Sequence, residues 1–488
     1  MKPAIKDKCN TPAKLQPVLI HRHRLLSASV MMQYLKPVYW LPVVLFFCFH
    51  AQAQTDTVIH LKDAVQLAQQ RYHLLKSHQY ETDAAAKAVD VAKYSRLPTI
   101  DVSYQAGYGT ANNLTGIFYP GYILSMTGPP SLGNNYSGGT GSAASTLLNW
   151  QAVTFGQRNA EINASVAAAN SKRSELQQFL FEHKINVLSA YLDLLLSYDV
   201  VLVHKHNIER VDANLKQSRV LANTGIKAGV DTALFLSELS KARIDWLNAQ
   251  KQLQVYQLLL QQLIVTDALP VPADTSFLNN LPAPSTTNDT SFSNAPVIQS
   301  ISSQLLLSQS KEQLIKKSFL PKLNVWATGF ARGSAFQPTG EIKTWDGLGL
   351  YRFNYGAGVQ LAFPIMKYGE VKRQLEQQNF LSKATQEKLE DSRLALNTQQ
   401  HIAAATYNSS MAVAAETGRQ LKSGQYAFNA MQTRYNTGLV NFSDLIQAQY
   451  NLLKAELDVK KSYWDVWKAL LLQAAIKGDE TIFLNEIR

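Results

Sequence analysis

The sequence predicts a mostly helical protein with a small membrane β-sheet, built as two structural repeats. Three observations predict it. First, "LANTGIKAGVDTALFLSELSKARID" (221–245) and "RYNTGLVNFSDLIQAQYNLLKAELD" (434–458) share one pattern. Each has Asn-Thr-Gly, Asp six residues after the Gly, then Leu-x-Lys-Ala-x-x-Asp, always at an offset of 213 residues. Second, residues 157–224 hold no Pro or Gly and residues 370–437 hold no Pro. Such stretches, dense in Ala, Leu, Gln, Lys and Glu, read as helices on the order of 100 Å long. Third, a pair of alternating apolar/polar segments precedes each long helix.

Taken in order, the chain begins with a basic stretch. Residues 1–53 carry seven Lys/Arg and one Asp, which is most of the formal charge of +11. Pro37–Phe49 is an apolar run too short to span a bilayer, preceded by Lys36 and followed by Ala51-Gln52-Ala53. This is a signal-peptide pattern with cleavage expected after Ala53, and a start at Met31 or Met32 would give a signal of ordinary length. Cys9 and Cys48 both precede that point. The mature chain is therefore expected to use no disulfide, no thiolate metal site and no Cys nucleophile. The most apolar later run, Tyr191–Val203, is interrupted by Asp193 and Asp199. An exported chain with a membrane role would then use strands.

The first repeat is expected over 57–265. A helix over about 60–95 leads to strands at about 99–108 and 144–153. In the first, Ile100, Val102, Tyr104, Ala106 and Tyr108 share a face opposite Thr99, Asp101, Ser103 and Gln105. The loop between the strands, about 109–143, is rich in Gly, Ser and Asn. The long helix turns at 223–225, and a return helix covers about 231–265. A Pro/Ser/Thr/Asn-rich linker, 266–297, follows. The second repeat spans 298–478, with strands at about 322–332 and 351–364, a loop at 333–350, and its turn at 436–438. A tail, 479–488, ends the chain. Phe353, Tyr355, Ala357, Val359, Leu361 and Phe363 alternate with Arg352, Asn354 and Gln360, as a lipid-facing barrel strand requires. Four strands cannot close a barrel in a bilayer, where unpaired backbone groups find no water. Closure by oligomerisation is implied, and three protomers supply twelve strands.

These residues resemble the TolC family of outer-membrane efflux proteins over about 57–478. The resemblance rests on the two turn motifs, on the Leu-Pro strand starts in "RLPTIDVSY" and "FLPKLNVWA", on "FPIMKYGE" and on "WKALLLQAAIKG". It implies a homotrimer with a 12-stranded β-barrel atop a 12-helix periplasmic tunnel. The tunnel would be a passive exit duct of a tripartite system, with a periplasmic adaptor protein and an inner-membrane transporter as partners. Asn223, Thr224 and Gly225, and Asn436, Thr437 and Gly438, would be the tips that meet the adaptor. Asp444 matches the family's aspartate ring at the closed entrance, and Asp231 and Tyr435 match a link between helices there. A second ring Asp and a linking Arg are replaced by Gln447 and Val440. The residues also permit plainer roles: Asp231 and Asp444 suit a helix first turn, and Tyr435 suits packing.

Other chemistries find little support. His204 and His206 fall on different helix faces, and no His-Glu-x-x-His or phosphate-cradling loop appears between a strand and a helix. No enzyme, cofactor, metal site or nucleic-acid surface is expected. Type I protein secretion uses the same outer component design. A secreted helical structural or adhesion protein is the alternative from another class, which alternating strands in both halves disfavour.

Overall fold

The computed structural model describes residues 57–113, 130–226, 228–275, 277–283, 292 and 294–486. The expected signal peptide, residues 114–129 of the first loop and part of the linker lie outside them. The described residues belong to one compact unit, Asp56–Arg488.

The first repeat opens with β1 (Thr57–Ile59), then α1 (Leu61–Arg71) and α2 (His73–Tyr94). The single helix expected over 60–95 is thus two, broken at Tyr72. No Pro or Gly marks the break. Tyr72 instead leaves helical geometry and stacks on His183 at 4.0 Å, so a tertiary contact sets it. Then come β2 (Thr99–Gly109), β3 (Gly139–Val153), α3 (Gln157–Asn223) and α4 (Val230–Ile264). β3 starts earlier than its alternation suggested, because the small residues Gly139–Ala143 hide the period.

The linker segment holds β4 (Pro270–Pro272), which pairs in parallel with β1. The second repeat follows as α5 (Pro296–Lys317), β5 (Lys322–Ser334), β6 (Arg352–Ala362), α6 (Lys367–Asn436) and α7 (Phe442–Lys477). A last turn, α8 (Thr481–Leu484), buries Phe483.

Strands β2-β3-β5-β6 form one antiparallel sheet, and among the described residues no strand pairs with either outer edge. Register carries the alternation across it. Ile100, Leu148, Ala327 and Ala357 lie on one face with Val102, Val325, Val359 and Leu361. Val102 is 78% exposed and Tyr355 96%, so this apolar face is bare. Asp101, Asn149, Asn324, Gln360 and Arg332 lie on the other. There Trp326 covers Gly358, where a Cβ would sit 2.7 Å from the ring. An 11-residue strand at about 3.3 Å per residue, tilted as in barrels, crosses roughly 25 Å, the height of an outer-membrane apolar band.

Below the sheet, α3 pairs with α4 and α6 with α7 as two hairpins. α3 includes a segment apolar enough to cross a membrane by length and composition alone. Val187, Leu188, Tyr191, Leu192, Leu194 and Leu195 bury it in the main core with Val466, Trp467, Leu470 and Leu471 of α7. It is a core helix. Asp193, which interrupts the run, accepts from Trp464 Nε1 at 3.1 Å and pairs with Lys468 at 2.8 Å.

Candidate functional site: the hairpin tips and the seam above them

Both long helices end in the same backbone device. Ile226 N donates to Leu221 O (3.0 Å) and Gly225 N to Ala222 O (3.1 Å). At the second tip, Leu439 N donates to Arg434 O (2.9 Å) and Gly438 N to Tyr435 O (3.0 Å). This is a Schellman ending, and it needs a left-handed residue. Gly225 and Gly438 supply it at φ 77° and 79°. Asn223 and Asn436 are the last helical residues. Thr224 Oγ1 donates to Val220 O (3.1 Å), and Thr437 Oγ1 to Arg434 O (3.0 Å), satisfying carbonyls the helix leaves open. The tips adjoin: a Cβ on Gly438 would lie 3.5 Å from Ile226. Ile226 and Leu439 are both exposed.

Asp231 and Tyr435 are brought together. Tyr435 is 1% exposed, and its hydroxyl donates to Asp231 Oδ2 at 3.0 Å. Burial pushes the phenol up to about 12, and the neighbouring Asp231 carboxylate adds to the shift against a Ser218 bond that lowers it. Phe235 meets both Tyr435 and Phe442 edge-on, at 5.8 and 4.7 Å. Packing and hydrogen bonding thus coexist at Tyr435.

Asp444 sits in the first turn of α7 within a capping box. Its N–H donates to Asn441 Oδ1 (3.0 Å), and its Oδ2 accepts from Asn441 N (3.4 Å). The carboxylate is exposed, as is Gln447 one turn on. Val440 packs partly buried against the tip core. Cap geometry holds the carboxylate, and its other lone pairs remain open to solvent.

Further links lie above the tips, where sequence reasoning found no signal. Arg210 grips Glu456 through two bonds of 2.6 Å. Buried amides chain three helices: Asn214 Nδ2 to Gln449 Oε1 (3.1 Å), Gln432 Nε2 to Asn214 Oδ1 (3.1 Å) and Gln449 Nε2 to Asn207 Oδ1 (3.4 Å). Tyr450 donates to Glu238 and is met by Lys241. These partners are more than 200 residues apart, so no local pattern announces them.

At the other end of the hairpins, Asp274 of the linker caps α1. Its carboxylate accepts from Leu61 N (3.0 Å), Tyr191 OH (2.8 Å) and His60 Nδ1 (2.9 Å). Burial opposes ionisation, but these donors hold the carboxyl below its usual range. His204, weighed as a ligand, has its pKa lowered by burial, and no metal-ligating cluster occurs among the described residues.

Comparison with known proteins gives this arrangement a context. The family profile described as "Outer membrane efflux protein" matches residues 64–265 and 290–462. A search of curated proteins found no match. Among solved structures, the chain is similar to the Campylobacter jejuni CmeC outer membrane channel. The identity is 15%, 86% of this chain and 85% of that one are covered, and the TM-score is 0.68. It is similar to the open state of the Neisseria gonorrhoeae MtrE outer membrane channel at 14% identity, 86% and 90% coverage, and TM-score 0.63. For the outer membrane protein VceC of Vibrio cholerae the values are 12%, 86% and 96%, and 0.67.

Proposed function

The chain belongs to the outer membrane efflux protein family, and on that premise we propose that three copies join into one export duct. The family makes it an outer-membrane efflux channel, and likeness to the solved channels gives it their fold. The observation that carries the trimer is the sheet. It is bare and apolar on one face, polar on the other and, among the described residues, unpaired at both edges. Such edges cannot stay unpaired in lipid. In an alternating antiparallel order, β6 of one copy runs antiparallel to β2 of the next. Three copies close a twelve-stranded barrel.

In this reading the four long helices of each copy line a tube reaching into the periplasm. The tube performs no reaction and binds no cofactor. An inner-membrane transporter drives cargo into it through a periplasmic adaptor. The adaptor docks on the tips at Asn223–Gly225 and Asn436–Gly438, where Ile226 and Leu439 offer exposed apolar contact. Asp231 and Tyr435 hold the two hairpins together near the entrance. The Asp444 carboxylates, brought round one axis by three-fold symmetry, form a cation-favouring constriction.

The test is planar-bilayer conductance of the detergent-extracted protein, wild type beside Asp444→Ala. We expect a cation-selective conductance in the wild type, and lower selectivity with higher conductance in the variant. Unchanged selectivity removes Asp444 from the constriction. Absence of the protein from the membrane fraction overturns the duct itself.

A further inference from the structure

The two hairpins of one chain meet where α3 packs on α7 and on the segment just after it, and that seam is ionic. Lys184 pairs with Glu480 (2.6 Å), Asp193 with Lys468 (2.8 Å), Asp199 with Lys460 (2.9 Å) and Arg210 with Glu456 (2.6 Å). Their side chains are only 7–23% exposed. Down α3 the signs run plus, minus, minus, plus, and the opposing residues carry the complement. Among the described residues, the other ion pairs between separate elements involve His60 with Asp274 and Lys172 with Glu81.

The repeat allows this seam to be mapped onto a second one. α3 and α6 end at Asn223 and Asn436, and α4 and α7 end at Ile264 and Lys477. Both differ by 213 residues, so the hairpins correspond without a gap. Under that correspondence α3 against α7 becomes α6 against α4. Such a contact runs along the free flanks of the described hairpins, so it joins one copy to the next. At the mapped positions Lys184, Asp193, Asp199 and Arg210 become Asn397, Thr406, Ala412 and Ser423, all uncharged. Lys460 and Lys468 become Leu247 and Val255, while Glu456 and Glu480 become Arg243 and Asp267, which face the uncharged Ser423 and Asn397 in this mapping, so none of the four ion pairs is reproduced. Ile244, Leu247 and Val255 on α4, and Leu394, Ile402 and Val413 on α6, are each 42–65% exposed in the single chain. Within each helix successive ones are 3 to 11 residues apart and fall on one broad side.

We propose that the seam between protomers repeats the seam between hairpins in geometry but reverses its chemistry. Within a chain, α3 and α7 are matched by buried ion pairs. Between chains, α6 of one copy and α4 of the next carry none of these ion pairs and meet through exposed apolar residues around Leu247 and Val255. The inference rests on the trimeric reading. It assigns the partner of this bare surface as a second copy of the chain. Its consequence is sorting. The charged face of α7 has no partner charges on a neighbour's α6, so burial there would strand ions without compensation. The exposed apolar residues of α4 likewise gain nothing from the ionic face. Nearly equivalent helices in a ring of twelve thereby find one arrangement. The sheet follows the same map. Leu148 lies opposite Ala327 at the joint between the repeats. Strand ends correspond at Gly156/Gly369 and Pro98/Pro321. Leu361 is therefore expected opposite Tyr104 of the next copy, both on the apolar face.

Disulfide trapping tests it, in full-length protein with Cys9 and Cys48 changed to Ser. Val255→Cys with Thr406→Cys reproduces between chains the place held by Lys468 and Asp193 within one. Mild oxidation is expected to give covalent dimers and trimers. Asp193→Cys with Lys468→Cys should cross-link within single chains. A trimer seen by mass photometry without a 255–406 bond overturns the seam but leaves the duct standing. No trimer under any condition overturns both. Chemistry is tested apart from position. Leu247→Asp should lower the trimer fraction at least about tenfold by burying an unpaired charge. Asp199→Asn with Lys460→Gln should leave it within about twofold. Equal loss in both overturns the division into ionic and apolar seams.

Discussion

At the scale of single residues, Tyr435 tests how the tips are held. Its hydroxyl reaches the Asp231 carboxylate from a buried position. A hydrogen bond to a charged group contributes about 1.5–3 kcal/mol, and Tyr435→Phe should remove most of it while keeping the ring. We expect a lower melting temperature by circular dichroism and a larger resting conductance. The pH dependence has a definite sign. The phenol's pKa is raised in the folded chain to about 12. Its contribution is full below the ordinary tyrosine value near 10 and is lost as pH rises through about 12. Wild-type resting conductance should therefore rise in that alkaline window, and the Phe variant should lack the step. The family resemblance suggested that Asp231 and Tyr435 belong together, whereas the residues alone allowed only a first-turn carboxylate and a packed ring. Neither could reveal the Arg210–Glu456 grip or the buried amide chain. Those depend on the axial match of helices joined only through distant turns.

Among the elements, the helix ends were the most legible feature. Long Pro-free stretches and Asn-Thr-Gly turns have local causes, and α3 and α6 end where those causes act. Gly438→Ala and Gly225→Ala force a Cβ into a left-handed conformation, which costs about 1–2 kcal/mol each. Neither site is crowded enough to add a clash to that strain. The expected result is a modestly lower melting temperature with the protein still in the membrane fraction, read by thermal circular dichroism after extraction. Two elements escaped sequence reasoning for the opposite reason. The break at Tyr72 follows from its stacking on His183, and β1 finds its partner β4 across more than 200 residues. Asp274, which caps α1, looked like ordinary linker composition.

For the whole molecule, duplication was visible in the sequence, but the chemistry joining the halves was not. Asp193 and Asp199 read as interruptions of an apolar run. In the fold they are the ionic teeth that keep that run in register with α7. Removing one partner of a largely buried pair is more damaging than removing both. Arg210→Ala leaves Glu456 without its charge partner and should cost about 3 kcal/mol. Arg210→Met combined with Glu456→Leu should recover most of that. Thermal denaturation of the two variants beside wild type measures the difference.

The gapless correspondence of the two hairpins makes the molecule its own ruler. Both tips hang from the same sheet on helices of matched length, so they reach the same depth. An insertion of one heptad in α3 and α4 alone would lower three tips of six by about 10 Å, leaving a crown of unequal teeth. Only equal insertions in all four long helices would keep the rim level. The reach of this duct can therefore change only in steps taken by both halves of the chain together.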